Sequence, residues 1–145
     1  MQIPWYVPAI GAAVIWGIHY PLLDFAMKRI SIYGVLLLGV VPVLLLMPLF
    51  LRELSGDIEQ FKSLPAGEQW PILAIMLTST AGTVLIYLSI GSKNASLASL
   101  IEISYPVFVI FFAYVLFRQV HVNPAAILGG LMTLAGAGLI IYSNQ

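Results

Sequence analysis

Five continuous apolar runs, each long enough to cross a bilayer as a helix, restrict this chain to a narrow set of folds. A membrane-spanning helix needs about 20 mostly apolar residues. The runs extend from about Trp5 to Met27, Ile32 to Leu51, Trp70 to Gly91, Ala95 to Phe117 and Pro124 to Tyr142, that is spans of about 5–27, 32–51, 70–91, 95–117 and 124–142. Their apolar residues are contiguous rather than alternating, which argues against a membrane β-barrel. The first run has nothing basic before it and exceeds the usual signal-peptide core of about 7–15 residues, so it reads as a span. The breaks are Lys28–Ser31, the segment 52–69, Ser92–Asn94 and Arg118–Asn123. Trp5, Trp70 and Tyr142 mark span ends, where amphipathic rings favour the interface.

Composition excludes the alternative of a soluble domain. Only 8% of the 145 residues are charged, against about 25% in soluble domains. The expected fold is therefore an all-α integral membrane protein: a bundle of five transmembrane helices forming a single domain over residues 1–145, in the cell inner membrane. The bilayer is its first partner. Six basic residues balance six acidic ones, leaving no basic face for nucleic acid. With no cysteine, thiolate metal sites and thiol catalysis are excluded. One intramembrane Glu and one intramembrane His form neither a metal cluster nor a nucleophile with its base, so no enzyme, no metal and no cofactor is expected.

The segment 52–69 is the sole sizeable connection between spans. Ile58, Phe61 and Leu64 fit a short helix lying on the membrane surface; a plain acidic loop fits equally.

Orientation gives an unusual result. With the N-terminal side called A and the opposite side B, Arg52, Lys62 and Arg118 fall on A, while Lys28, Arg29 and Lys93 fall on B. Membrane orientation follows the Lys/Arg difference between sides, and here the two counts tie. Either copies insert both ways up, as a dual-topology protein, or a partner fixes the orientation. An odd number of spans fits the first reading. Two five-span units in sequence have opposite orientations, the inverted-repeat plan of many transporters. One unit is half of that plan, which an antiparallel second copy completes.

Glu102 is the most constrained polar residue. It lies about eight residues into the fourth span, about 12 Å from side B. An ionised carboxylate at such depth costs at least about 2.5–3.5 kcal/mol. It should hold its proton when shielded and release it when water or a cationic ligand arrives, as a proton-coupled carrier requires. The other reading is a neutral carboxylic acid tying two helices together. His19, in the first span, sits at nearly the same depth and is a candidate to share its proton; alternatively it bonds a backbone carbonyl. Ser99 and Tyr105, three residues either side of Glu102, share its helix face. Aromatic rings near a carboxylate suit an amphipathic or cationic solute. Trp16 reads instead as a packing or lipid-facing ring.

Two prolines are candidate helix breaks. Pro21 has no N–H for the carbonyl of Gly17, and Pro106 none for that of Glu102. Asp24, Lys28 and Lys93 lie near side B, as a solvated rim or as a gate pairing Asp24 with Lys93. In the fifth span Ala125, Gly129, Thr133 and Ala137 recur every fourth residue, extended by Ala126, Gly130 and Gly138, a small-residue stripe for close helix approach. The run Thr78–Thr83 in the third span allows tight packing or offers hydroxyls to a cavity.

The stretches "NASLASLIEISYPVFVIFFAYVLF" and "ILGGLMTLAGAGLIIY", with "AAVIWGIHYPLLDFAMKRIS" in the first span, resemble the EamA-like branch of the drug/metabolite transporter superfamily. The resemblance covers essentially the whole chain as one five-span domain. Most members of that branch carry two such domains; this chain is similar to half-length members that work as pairs. Where the family usually has Gly-Glu after the fourth span, this chain has Arg118-Gln119. The resemblance implies a secondary transporter of a small organic solute (a metabolite, amino acid or drug), often by proton exchange. Combined with the residue reading, it gives a proton-coupled carrier acting through Glu102 as an antiparallel homodimer, or paired with a homologous half. The alternative is a non-transporting or obligate partner subunit of a membrane complex.

Overall fold

The structure is a computed structural model, and it describes residues 3–119 and 122–144. Val120 and His121, inside the expected break between the fourth and fifth spans, lie outside the described residues, as do Met1, Gln2 and Gln145 at the limits of the expected domain. The described residues are helical almost throughout, in α1 (Tyr6–Met27), α2 (Ile32–Leu46), α3 (Leu51–Ser63), α4 (Ala66–Ser92), α5 (Ala95–Glu102), α6 (Tyr105–Phe117) and α7 (Pro124–Ser143). Five helical stretches are long and apolar enough to cross a membrane: Tyr6–Met27, Ile32–Ser63, Ala66–Ser92, Ala95–Phe117 and Pro124–Ser143. Large apolar side chains along them point outward, as a lipid environment requires; Leu77 is 76% exposed.

The chain divides into two compact units. The first comprises Met1–Asp24 with Ser89–Gln145. Within it, Asn94 opens α5, its Oδ1 accepting from the Leu97 N–H at 2.9 Å. Asn123 opens α7 in the same way, accepting from Ala126, and Pro124 fills the first helical turn. α5 packs on α7, and the small side chains Ala95, Ala98 and Ala137 are buried there. α6 also packs on α7, where a Cβ placed on Gly130 would stand 3.2 Å from Val107 Cγ2.

α6 ends at Arg118, whose backbone is left-handed with φ 55°. Helix ends commonly take this shape, with glycine as the usual occupant. The Arg118 guanidinium lies 5.3 Å from the centre of the Tyr114 ring, covering part of the helix end. The Gly-Glu to Arg-Gln exchange noted in the sequence thus falls where a glycine would be free of strain.

The second unit is Phe25–Leu88. Ser31 caps α2 through its Oγ and the Gly34 N–H. α2 tightens into a 3₁₀ turn at Met47–Phe50, since Pro48 supplies no N–H to the helix ladder. The chain then stays helical as α3, which presents Leu51, Leu54, Ile58 and Phe61 along one face. Of the two readings of 52–69, the helical one describes most of the segment, and the plain loop does not. Leu64, forced into an extended backbone by the following Pro65, makes the turn. Gln69 Nε2 donates to the Leu64 and Phe61 carbonyls at 2.7 and 3.3 Å, satisfying the end of α3. α4 therefore starts at Ala66, earlier than the expected Trp70. Its Thr78, Thr80 and Thr83 hydroxyls donate to carbonyls of their own helix.

Candidate functional site

The candidate site lies within the first unit. The fourth span is divided where the sequence places its carboxylate. α5 ends at Glu102, Ile103 and Ser104 form a turn, and α6 restarts at Tyr105 with Pro106 in its first turn. The Ile103 N–H still reaches Ser99, but the Ser104 N–H bonds Ile101, one residue closer than an α-helix allows. The buried Ser104 hydroxyl donates to that same Ile101 carbonyl at 2.8 Å. Pro106 cannot donate to the Glu102 carbonyl. A polar backbone turn is thus set at the depth of an ionisable side chain, an arrangement tolerated in membranes where protein or a cavity shields it.

Glu102 is half-buried, and the hydroxyl of Tyr20 on α1 donates a hydrogen bond to its Oε2. Tyr20 is the functional candidate that sequence reasoning missed. α1 does meet Glu102, through the residue that follows His19. His19 is half-buried too, with its ring edge-on to Trp16 at 5.1 Å between centroids and tilted against Tyr20 at 6.0 Å. Trp16 also lies 5.6 Å from the Tyr20 ring. Trp16, His19 and Tyr20 therefore form an aromatic cluster around the donor, and Trp16 belongs to it while remaining largely exposed. The missing signal was chemical. A phenol hydroxyl at the same depth as a carboxylate is as good a partner as an imidazole, and Tyr20 adjoins His19 in sequence.

The remaining candidates divide between those near the carboxylate and those away from it. Ser99, one turn before Glu102, is half-buried, and its hydroxyl donates to the Ser96 carbonyl at 3.1 Å. Tyr105 is 59% exposed and opens α6 beyond the turn that follows Glu102. The shared face presumes an unbroken helix, and the turn at Ile103–Ser104 lies between the two residues. Pro21 lies inside α1, which runs on to Met27 without a break, unlike the interruption before Pro106. In α7, Gly130 and Thr133 are half-buried and Ala137 is 4% exposed, whereas Gly129 is exposed and a Cβ placed on it would meet nothing within 4 Å. At 3.6 residues per turn, a row spaced by four rotates about 40° per step. The inward face accordingly follows Gly130, Thr133 and Ala137, and Ala125 and Gly129 turn away from it.

Lys93 reaches across to α7, its Nζ donating to the Asn144 carbonyl at 3.2 Å. The sequence places both residues on side B, after the third and fifth spans respectively, and the contact agrees with that alternation.

The profile of the EamA-like transporter family matches residues 3–142. The chain belongs to this family. No curated protein and no solved structure matches it. Membership and the five apolar helices together make the chain a multi-pass membrane protein of a transporter family, within the drug/metabolite superfamily.

Proposed function

We propose that this EamA-like chain is a proton-coupled secondary transporter of a small organic solute, a metabolite, amino acid or drug, in the cell inner membrane. The observation that carries this reading is the hydrogen bond from Tyr20 to Glu102 at the break in the fourth span. In the proposed cycle, a solute carrying a cationic or strongly donating group displaces Tyr20 from the carboxylate. The Glu102 proton leaves as the solute binds and returns as it departs. Trp16, His19 and Tyr20 supply rings against which an amphipathic solute packs. The turn at Ile103–Ser104 is a point about which α5 and α6 move separately as the two sides open in alternation.

The five-span unit works with a second unit of inverted orientation, a second copy of this chain. The Lys/Arg tie between sides supports this arrangement, since it gives neither orientation an advantage.

The test uses proteoliposomes holding a pH gradient and a pH-sensitive dye. Addition of small organic amines, amino acids and cationic drugs in turn should identify a solute that dissipates the gradient with the native protein. Glu102→Gln should assemble normally and abolish that proton flux. Native flux in the variant would overturn the assignment, and reduced assembly without any flux in the native protein would favour an obligate partner subunit.

A further inference from the structure

Three helix ends meet at side B within the first unit, and between them lies a cleft of about 210 Å³. Its chemistry is divided by depth. Lys93, at the end of α4, and Asn144, just past α7, stand at the mouth. Leu97 and Ile101 of α5 and Ile140 and Ile141 of α7 form the walls. Leu97 and Ile101 are four residues apart, so the apolar wall runs along α5 from the surface into the membrane.

We infer that this cleft seats an anionic phospholipid of the side-B leaflet, its phosphate on Lys93 and part of one acyl chain between α5 and α7. Charge complementarity selects the head. Lys93 carries an ammonium with three donors, one of which is held by the Asn144 carbonyl at 3.2 Å. That bond fixes the ammonium at the mouth and leaves two donors for phosphate oxygens. The wall selects the tail. The volume is several times the roughly 30 Å³ share of one water, and below Lys93, Asn144 and Ser89 the walls are apolar, so an apolar chain segment is the better occupant there. A lysine at the end of a span already lies at headgroup level, and basic pockets between membrane helices are known to hold anionic headgroups. The site is separate from Glu102 and does not depend on the transport reading.

Native mass spectrometry of the detergent-purified protein tests this directly, because orientation in a membrane then has no influence. With equimolar phosphatidylglycerol and phosphatidylcholine, the native protein should retain phosphatidylglycerol about fivefold in preference, the scale set by one lysine near a headgroup. Lys93→Gln should abolish the preference and Lys93→Arg should keep it. Ile140→Trp, which fills the wall while leaving Lys93 in place, should lower phosphatidylglycerol retention to the phosphatidylcholine level. Equal retention of both lipids by the native protein would overturn the proposal, as would an undiminished preference in Lys93→Gln or Ile140→Trp. Glycerol phosphate, a headgroup without chains, should fail to displace the bound lipid at equal concentration. Displacement would mean that Lys93 binds phosphate alone, and the lipid seat would be wrong.

Discussion

Tyr20 on α1 donates its hydroxyl to Glu102 on α5, joining the first span to the break in the fourth. The bond links two helices through a group that changes charge. It therefore serves as a tie when the carboxylate is free to accept, and it can be exchanged for a solute's donor. A purely structural tie and a functional one make different predictions for the same pair of variants.

Tyr20→Phe keeps the ring and removes the donor. A thermal-denaturation cycle of Tyr20→Phe, Glu102→Leu, which has no acceptor, and the double variant should give a coupling of about 0.6 kcal/mol and no more than about 1.7, the range for hydrogen bonds between membrane helices. Strictly additive losses would mean that the two groups do not interact. In the flux assay, Tyr20→Phe should retain proton-coupled transport, whereas Glu102→Gln should lose it.

The orientation tie is open to a direct measurement, since the chain has no cysteine of its own. Ser63→Cys lies on side A and Ser92→Cys on side B, and both positions are exposed. In sealed cells a membrane-impermeant maleimide should label each to about half, as expected when the Lys/Arg difference vanishes. Complete labelling of one and none of the other would establish a single orientation and remove the antiparallel homodimer.

Arg118 holds the left-handed backbone at the end of α6. Arg118→Gly should relieve strain of about 1 kcal/mol, less about 0.4–1 kcal/mol for the greater freedom that glycine gives the unfolded chain, for a net gain of at most about 0.6 kcal/mol in thermal stability. The same change lowers the side-A count from three to two (3 − 1 = 2) against three on side B. The cysteine labelling pattern should then skew toward copies with side B in the cytoplasm.

Neighbouring glycines of α7 should respond in opposite ways. Gly130→Leu drives a side chain into Val107 on α6 and should cost about 1–3 kcal/mol by overpacking. Gly129→Leu meets open space and should change stability by less than about 0.5 kcal/mol. Equal losses at both positions would show that the α6–α7 contact is not where the stability resides.

Much of this protein was legible in its residues alone. Continuous apolar runs require helices because lipid offers no partner to a bare N–H or carbonyl, and each helix satisfies its own backbone. Asn94, Asn123 and Ser31 mark helix starts by local chemistry, and Pro106 marks the interruption beside Glu102. Family membership followed from the same stretches. The segment 52–69 was ambiguous because its few apolar residues fit a loop as well as a helix, and α3 forms there. What only the tertiary structure decided was direction around each helix axis. Depth follows from counting residues, so His19 and Tyr20 were equivalent in depth to Glu102. Their side chains diverge by about 100°, and it is the phenol that reaches the carboxylate while the imidazole lies against Trp16. The same limit applies to α7, where a four-residue repeat drifts around the helix and the packed face follows Gly130, Thr133 and Ala137.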